Sequence, residues 1–411
     1  MSFKERIISQ KLASASKTFP VIVITGARQV GKTTLLKEMY GKEFDYVVFD
    51  PIIDIENART DPSLFFNSHK TPLILDEIQY APEIVSTLKR VVDNNRMPGQ
   101  FFLTGSQQWS VMRALCESLA GRAAILEMDG FSLAELSSRV EKTWLSDWLD
   151  SNDSFDLRAY KPFPLTGGTF GQIWKGWLPE AQIMPLENVP LFYQSYQRTY
   201  IEKDIRLLSD VSDWQLFGRF VRLIAALSAQ EINYSQIGRE IGIAPQTARR
   251  WMETLTATFQ WVEVPAFSTN SIKKISEKPK GFLTDTGMLC CLQAIATPQV
   301  LGGHPLFGAI FETAVVNELR KQSQMLKIMP NFFHWRSHSG AEVDLVLEFN
   351  GKYFPIEIKG KTHVTKADTS GLQAFRSAYP HLPIARGLVV CTCESPYILN
   401  QDGDIALPWN L

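Results

Sequence analysis

The sequence predicts an α/β protein with a parallel-sheet core, a helical lid, a winged helix-turn-helix and a C-terminal α/β unit. Short apolar runs alternate with polar, helix-like stretches over residues 1–130, which is typical of a parallel sheet covered on both faces. Residues 216–300 follow the order helix, helix, turn, helix and β-ribbon. The last segment, 301–411, has strand-like runs on either side of a helix. The lid is then expected at 131–215.

The composition bounds the class of protein. The 411 residues are 45% hydrophobic and 21% charged, which allows sizeable buried cores and excludes disorder along the whole chain. The formal net charge of −1 excludes a generally basic nucleic-acid coat but leaves room for a local basic patch. No apolar run reaches the roughly 18 residues that cross a bilayer, and the chain starts without a signal-peptide core. Its five cysteines suit reduced thiols. We therefore expect a soluble cytoplasmic protein with no membrane partner.

The core unit is predicted from apolar runs separated by crossover lengths. The runs that suit buried strands are 21–25, 46–50, 72–76, 100–104 and 123–128. The lid that follows combines helical stretches with a Pro- and Gly-rich insertion. This order is typical of an α/β nucleotide-binding protein.

A complete phosphate-binding motif, GxxxxGK[ST], runs from Gly26 to Thr33, between the first strand and a helix. Gly26 and Gly31 let backbone N–H groups curl around phosphates, and the helix N-terminus favours negative charge. We expect Lys32 to reach the β- and γ-phosphates of ATP, and Thr33 to offer its hydroxyl to Mg²⁺. Thr34 completes the predicted phosphate-binding set. The alternative is a Gly-rich turn that binds nothing.

An acidic pair, Asp76 and Glu77, lies at the C-terminal end of the third predicted strand, where open parallel sheets bind ligands. Asp76 can hold the Mg²⁺ shell, and Glu77 can orient or deprotonate the attacking water. The next strand ends at Thr104-Gly105-Ser106, which places hydroxyls near the γ-phosphate. The alternatives are a helix cap for the acidic pair and an ordinary turn for 104–106. With the phosphate loop, these residues predict Mg²⁺-dependent ATP hydrolysis.

These motifs resemble those of the AAA+ ATPases. The resemblance implies that Ser106, or Thr104, is the polar sensor residue that ends the strand after the Asp-Glu strand. It also implies that Arg122, directly before the last strand of the core, is an arginine finger acting on a neighbour's nucleotide. Such a finger requires a homo-oligomer, such as a hexameric ring. The alternative for Arg122 is a solvated arginine at a helix end.

The winged helix is predicted to contact DNA through its second helix. That helix carries side chains of the types that contact bases and phosphates, namely Gln246, Thr247, Arg249 and Arg250. Residues 216–300 contain nine basic and six acidic side chains, so the unit is mildly basic. The wing lysines suited to phosphate contacts are Lys273, Lys274, Lys278 and Lys280. The alternative is a protein-packing module.

The C-terminal unit places carboxylates beside a lysine. Glu357 and Lys359 are two residues apart on one predicted strand, so they share a face, and Asp344 on the preceding strand can project beside them. Such a cluster would bind Mg²⁺ through Asp344 and Glu357 and activate a water for attack on a phosphodiester. The alternative is a solvated strand edge.

This arrangement resembles the PD-(D/E)XK nuclease superfamily, with Asp344 as the first acid, Glu357 as the second and Lys359 as the lysine. Glu312, in the preceding helix, matches the first-helix acid of members similar to archaeal Holliday junction resolvases. One departure is that Ala341-Glu-Val-Asp lacks the Pro before the first Asp. The resemblance implies a restriction-endonuclease-like domain that either cuts DNA or is a catalytically silent DNA clamp.

The order of the units resembles the AAA_14/DUF4143 family of prokaryotic AAA+ ATPases, which implies an ATPase with a nuclease-type domain. The first hypothesis is an oligomeric, Mg²⁺-dependent ATPase that acts on DNA, with a C-terminal domain that binds or cleaves it. The second is a nucleotide-driven switch that engages a protein partner, with a silent nuclease-like domain.

Overall fold

The structure is a computed structural model, and it describes residues 3–41, 43–49, 55–106, 119–141, 143–151, 154–156, 159–200, 213–270 and 277–411. Cys116, Lys273 and Lys274 lie outside these residues, as does the stretch 201–212 at the end of the predicted lid. The other four cysteines are free thiols. Within the described ranges, no helix is long and apolar enough to cross a membrane.

The N-terminal unit is built on a five-stranded parallel sheet with the strand order β2-β3-β4-β1-β5. The strands are β1 (Val21–Thr25), β2 (Asp45–Val48), β3 (Leu73–Asp76), β4 (Phe101–Gly105) and β5 (Ala123–Glu127). Strands β1, β3 and β4 are buried along their whole length, because helices cover both faces. The edge strands β2 and β5 are only half-buried. The predicted parallel sheet is confirmed.

Helices pack on both faces of this sheet. They are Ser9–Ala15, Lys32–Tyr40, Ile55–Thr60, Pro62–Ser68 and Ile84–Asn94, with a 3₁₀ turn at Ile78–Tyr80. On one face, Ile22 and Ile24 pack with Leu35 of the helix that follows the phosphate loop. On the other, Val21 and Val23 pack in a separate apolar cluster. Successive side chains of β1 therefore pack into two different apolar clusters, one on each face of the sheet.

The lid region is helical, as predicted. Its helices are Leu133–Leu136, Trp144–Asp150, Gly168–Lys175, Pro179–Ile183 and Val189–Tyr200, with a 3₁₀ turn at Leu186–Asn188. The first is a single turn, opened by a capping box in which the Ser132 and Glu135 side chains each bond the other's backbone N–H. Trp148 packs edge-on against Phe354 of the C-terminal unit, at 5.1 Å between ring centroids. The lid therefore shares its core with the C-terminal unit.

The winged-helix segment has the helices and the ribbon that the sequence predicts. The helices are Trp214–Ala226, Tyr234–Ile241 and Pro245–Ala257. The strands β6 (Gln230–Glu231), β7 (Trp261–Val264) and β8 (Lys280–Leu283) form an antiparallel sheet in the order β6-β8-β7. Strand β6 was not predicted, because two residues carry no readable periodicity.

The C-terminal unit is a mixed sheet in the order β13-β14-β12-β11-β10-β9. Its strands are β9 (Asn331–Arg336), β10 (Glu342–Phe349), β11 (Lys352–Lys359), β12 (Leu388–Cys391), β13 (Tyr397–Ile398) and β14 (Ile405–Pro408). The helices Thr286–Leu292 and Pro298–Gly302 follow the wing, and the unit itself has the helices Phe307–Ser323 and Ser370–Ala378, with a 3₁₀ turn at Lys366–Thr369. The predicted strands β10, β11 and β12 are present, and β9, β13 and β14 extend the sheet.

The long helix Phe307–Ser323 joins this sheet to the start of the lid. Its Glu318 carboxylate accepts the Leu133 N–H at 3.0 and 3.1 Å, and its Lys321 donates to the Phe131 carbonyl at 2.9 Å. One apolar cluster extends from Ile8 to Leu411. This cluster therefore connects the predicted units, while the N-terminal and C-terminal sheets each have a further apolar cluster of their own.

Candidate functional site

The phosphate loop needs glycine at two backbone positions. Gly26 has φ +148°, and a Cβ there would lie 2.0 Å from the Met128 carbonyl oxygen. Gly31 has φ +97° and immediately precedes the helix that starts at Lys32. Because L side chains rarely adopt these conformations, both glycines of the motif are required by the backbone itself.

The lysine and threonines of the motif open the helix. The buried Lys32 ammonium donates to the carbonyls of Gly26 and Ala27, at 2.9 and 2.8 Å. Thr33 follows it, half-buried, and Thr34 is exposed. The structure thus places the predicted phosphate-binding side chains together at one helix N-terminus, where the helix dipole favours an anion.

Asp76 is the centre of a hydroxyl network at the carboxyl end of β3. Thr33 Oγ1 lies 2.9 Å from each of its carboxylate oxygens, and the Tyr46 hydroxyl donates to Oδ2 at 2.5 Å. Thr104 Oγ1 donates to Oδ1. Burial and the hydrogen bond to Asp76 raise the pKa of Tyr46 well above its usual range, so it stays a donor. Thr33 and Asp76 present oxygen ligands side by side, which fits Mg²⁺.

Glu77 is held by its neighbours in a conformation that few non-glycine residues adopt. Its backbone has φ +60°, and its N–H donates to Thr104 Oγ1 at 3.0 Å. The Gln79 amide donates both to the Glu77 carboxylate and to Ser106 Oγ, the latter at 3.1 Å. Gln79 therefore connects two of the predicted catalytic side chains, Glu77 and Ser106, and no motif in the sequence singled it out.

The buried Arg6, which no sequence motif indicated, is hydrogen-bonded to the phosphate loop. Arg6 is 5% exposed and donates from Nη1 to the Val30 carbonyl at 2.7 Å and from Nη2 to the Asp129 carbonyl at 2.6 Å. Its Nε donates to Glu135 at 2.8 Å. The ring of Phe131 lies 4.7 Å from its guanidinium carbon. Arg6 belongs to no motif, because its partners are distant in sequence.

Arg122 lies at the opposite edge of the sheet from the phosphate loop. It directly precedes β5, and its carbonyl accepts the Val21 N–H at the amino end of β1. Its guanidinium forms two hydrogen bonds with Asp93, at 2.5 and 3.1 Å. Arg122 therefore lies away from the phosphate loop of its own chain, and its role as an arginine finger stays a prediction.

The side chains predicted to contact DNA lie on the surface of the helix Pro245–Ala257. Gln246, Arg249 and Arg250 are exposed, and Thr247 is half-buried. Arg249 forms a surface ion pair with Glu253 at 3.2 Å, which contributes little to stability. The four side chains are therefore available to a partner.

One of the wing lysines does not have the position that the sequence predicts. Lys280 was expected to contact phosphates, but its side chain is 12% exposed and its ammonium lies 2.5 Å from Glu312 Oε1 and 3.5 Å from Asp344 Oδ1. The prediction of a surface contact was wrong for Lys280, because β8 directs this side chain toward the C-terminal unit. Lys278 is exposed as expected.

The predicted C-terminal cluster is present. Lys359 Nζ lies 2.7 Å from Glu357 Oε2 and 3.4 Å from Asp344 Oδ2. Asp344 Oδ2 also accepts the Ile358 N–H at 2.8 Å. Lys280 links Glu312 to the same group. The cluster therefore contains three carboxylates and two ammonium groups.

The electrostatics of this cluster follow from its burial. Burial and then the nearby Asp344 raise the pKa of Glu312 to about 8, and they raise the pKa of Glu357 to about 8 as well. Burial opposes ionisation of Asp344, but Lys280 and Lys359 outweigh it and lower its pKa. Both glutamates therefore hold a proton to a higher pH than a solvated glutamate does.

The Mg²⁺ site predicted at Asp344 and Glu357 does not fit this arrangement. Lys359 contacts Asp344 Oδ2 and Glu357 Oε2, and Lys280 lies 3.5 Å from Asp344 Oδ1, so three of their four oxygens already face an ammonium group where Mg²⁺ would need them as ligands. In the part of the chain that the structure describes, no group of three or more His, Cys, Asp or Glu could hold a metal ion.

A parallel sheet with a phosphate loop after β1 and an acidic pair after β3 defines a P-loop ATPase domain. Residues 18–137 match a family model described as an AAA domain, so this part of the chain is an AAA-type ATPase domain. Residues 170–299 and 307–411 match two models, each described as a domain of unknown function, DUF8612 and DUF4143. The DUF4143 match confirms that part of the resemblance drawn from the sequence.

Similar proteins span almost the whole chain. An uncharacterized protein of Mycobacterium tuberculosis and one of Mycobacterium bovis are each 27% identical over 412 residues, which cover 99% of this chain and 84% of the relative. Among solved structures, a Walker-type ATPase of Pyrococcus abyssi has 14% identity and a TM-score of 0.41, covering 69% of this chain and 94% of its own. The RuvB Holliday junction branch migration motor of Thermotoga maritima has 14% identity and a TM-score of 0.31, covering 63% and 89%.

Proposed function

We propose that the protein hydrolyses ATP with Mg²⁺ at the site formed by the phosphate loop and the carboxyl ends of β3 and β4. The observation that carries this proposal is the direct contact of Thr33 with Asp76, at 2.9 Å to both carboxylate oxygens. Bound Mg²⁺ would neutralise charge on the phosphate oxygens. Thr33 and Asp76 would hold it, and Lys32 would turn from the loop carbonyls to the β- and γ-phosphates.

The remaining side chains of the site would orient the attacking water. Glu77 is a carboxylate at the strand end, restrained by its backbone and by Gln79. It would accept a proton from the water or align it for in-line attack. Ser106, on the other side of Gln79, would report on the γ-phosphate through the same amide.

We infer that turnover requires an oligomer. Arg122 lies at the sheet edge away from its own phosphate loop, so only a neighbouring chain could receive its guanidinium at the γ-phosphate. An arginine supplied in this way stabilises charge that develops in the transition state. It would have to leave Asp93, an exchange at a half-exposed surface that costs little.

The nucleotide site is connected to the C-terminal unit through buried hydrogen bonds. Arg6 contacts the phosphate loop at Val30 and the lid at Glu135, and the same short lid helix receives Glu318 at the Leu133 N–H. Glu318 belongs to the long helix that also carries Glu312. We propose that closure of the loop on nucleotide shifts this helix, and that the shift changes how the winged helix and the C-terminal sheet engage a partner.

DNA is the proposed partner, and the exposed face of the helix Pro245–Ala257 supports it. Gln246, Arg249 and Arg250 are available there, with Thr247 beside them. These side chains suit both base edges and phosphates. The second candidate is a nucleotide-driven switch for a protein partner. It is favoured by the lysine-filled C-terminal cluster, which does not fit the metal that phosphodiester cleavage would use.

The test is ATP hydrolysis by the full chain with Mg²⁺, with and without forked and four-way DNA. We expect DNA to stimulate turnover, and Lys32→Ala to abolish it in both conditions. Arg249→Glu/Arg250→Glu should keep basal turnover and lose the stimulation, since these residues lie outside the ATPase domain. Turnover that DNA does not change would favour the protein-partner switch, and turnover by Lys32→Ala would reject the proposed site.

A further inference from the structure

The carboxylate cluster of the C-terminal unit is completed by a lysine from another part of the chain. Lys280 lies on β8, where its backbone pairs with Val264 of β7 and with Glu231 of β6. From there its ammonium reaches Glu312 at 2.5 Å and Asp344 at 3.5 Å. Because β6 and β7 both pair with the Lys280 backbone, the fold of the wing fixes the position from which its ammonium contacts the two acids.

Lys359, a backbone amide and a helix also cover the Asp344 and Glu357 oxygens of the cluster. Lys359 and the Ile358 N–H occupy Asp344 Oδ2, and Lys359 occupies Glu357 Oε2. The helix Ser370–Ala378 covers the remaining Glu357 oxygen so closely that a Cβ at Gly371 would lie 2.1 Å from Glu357 Oε1. The oxygens that would ligate a metal ion therefore face two ammonium groups, an amide and a helix backbone.

A divalent cation and these two ammonium groups compete for the same oxygens. Magnesium keeps near-octahedral oxygen ligands at about 2.0–2.1 Å, whereas an ammonium group bonds carboxylates at hydrogen-bonding distance. Lys280 lies between Glu312 and Asp344 and contacts both, so a metal ion bridging these acids would meet its positive charge directly.

We propose that Lys280 is the resident cation of this cluster and takes the place of a divalent metal ion. The cluster is then an ion-pair joint between the wing and the C-terminal sheet, and in the native chain it is not a metal centre. Glu312 and Asp344 would ligate a metal ion only if the Lys280 ammonium were removed. This inference concerns the C-terminal unit alone and does not depend on the proposed ATPase reaction.

The surroundings of Lys280 provide a route for such an ion. A cavity of about 370 Å³ lies between the wing and strands β9 and β10, and Lys280 and Glu312 both line it. Glu231, Glu342 and Arg336 line its other walls. Truncation of Lys280 would therefore open the acids to solvent, not to an apolar core, and a hydrated cation could reach them.

Binding of Mn²⁺ to the full chain without nucleotide tests the proposal, measured by electron paramagnetic resonance of the free ion. The native chain and Asp344→Asn should bind the same number of Mn²⁺ ions, because Asp344 holds none. Lys280→Ala should bind one more ion per chain, and Lys280→Ala/Asp344→Asn should lose that ion again. Each chain is compared with its Asp344→Asn counterpart, because that substitution removes Mn²⁺ from this cluster and leaves any Mn²⁺ bound at Thr33 and Asp76 unchanged.

Two variants control for the charge at position 280 and for the loss of a lysine from the wing, and circular dichroism controls for folding. Lys280→Arg keeps a cation in place and should gain no site, and Lys278→Ala removes an exposed lysine of the same wing and should also gain none. Circular dichroism verifies that each variant is folded. An Asp344-dependent Mn²⁺ site in the native chain would overturn the proposal, and so would a folded Lys280→Ala without the additional ion. If Lys280→Ala does not fold, the comparison of the native chain with Asp344→Asn still decides.

Discussion

Thr33 Oγ1 lies 2.9 Å from both carboxylate oxygens of Asp76, so the phosphate loop and the end of β3 meet at one hydroxyl. The strand order places β4 between β3 and β1, and Thr33, at the start of the helix after the loop, reaches Asp76 from the end of β1. Tyr46 and Thr104 donate to the same carboxylate and fix its orientation. A metal ion held between Thr33 and Asp76 would therefore find its ligands already placed.

The first prediction concerns this hydroxyl. Thr33→Val keeps the shape of the side chain but removes the metal ligand, so we expect kcat/KM for Mg²⁺-ATP to fall about 100-fold or more. Thr33→Ser keeps the hydroxyl and is the matched control, with activity near that of the native chain. Steady-state hydrolysis over a range of Mg²⁺ concentrations measures both. Equal activity of Thr33→Val and Thr33→Ser would show that this hydroxyl holds no metal ion.

The second prediction concerns Gln79 as a positioning residue for Glu77. Gln79→Leu removes the amide that joins Glu77 to Ser106, so Glu77 remains but is less well oriented. We expect kcat to fall about tenfold with little change in KM, because ground-state binding does not use this amide. In Glu77→Gln the same Gln79 substitution should cost nothing further. If Gln79→Leu lowers the kcat of Glu77→Gln by the same factor as it lowers the kcat of the native chain, Gln79 acts independently of Glu77.

The third prediction is complementation between two inactive variants. Lys32→Ala lacks the phosphate-binding lysine, and Arg122→Ala lacks the arginine that we place in a neighbour's site. In mixed oligomers, an intact loop can meet an intact Arg122, so a one-to-one mixture should recover roughly one quarter of native turnover. Arg96→Ala, an exposed arginine at the same sheet edge, is the control and should stay active alone. If native mass spectrometry finds mixed oligomers and turnover stays at the sum of the two variants, Arg122 is not the finger.

Much of the nucleotide site was predictable because its chemistry is local in sequence. The glycines, Lys32 and Thr33 lie within one motif, and the apolar runs of β1, β3 and β4 are continuous because both faces of those strands are buried. The pairing of Glu357 with Lys359 likewise followed from alternation along one strand. These features depend on spacing within a single element.

The supporting side chains were not predictable, for the opposite reason. Arg6 meets Val30 and Glu135, and Lys280 meets Glu312 across two units, so each contact depends on how the chain folds back. A wing lysine looks the same in sequence whether it faces solvent or a carboxylate. Arg6 carries no signal beyond one charge in a short N-terminal helix-like segment.

The fourth prediction is a pH dependence of stability that arises at Glu312. Its pKa is raised to about 8 in the folded chain, chiefly by burial, from an ordinary value near 4.5. Between these values the folded state binds a proton that the unfolded state does not, so stability should fall as pH rises through this window. Urea unfolding should give a smaller fall for Glu312→Gln than for the native chain between pH 5 and about 8.5. Glu357 leaves a residual slope in both proteins, and identical slopes would contradict the prediction.

The last prediction concerns Arg6, which ties the phosphate loop to the lid. Its guanidinium and the Glu135 carboxylate are 5% and 4% exposed, and Glu135 also accepts the N–H groups of Ile7 and Ser132 at 2.8 and 2.7 Å. Arg6→Met removes one partner of a buried pair, which should lower the free energy of unfolding by about 3–5 kcal/mol. Urea unfolding measures this loss. The control Glu5→Gln, at an exposed neighbouring residue, should change the free energy of unfolding by about 0.5 kcal/mol or less.

A second readout separates this support of the loop from stability alone. Arg6→Lys keeps the charge but cannot donate to Val30, Asp129 and Glu135 together, because an ammonium lacks the planar fork of a guanidinium. We expect the KM for ATP to rise about tenfold while kcat changes less, since the loop would no longer be held in its binding conformation. If Arg6→Lys loses stability but keeps the native KM at a temperature where it is fully folded, Arg6 contributes to the fold and not to nucleotide binding.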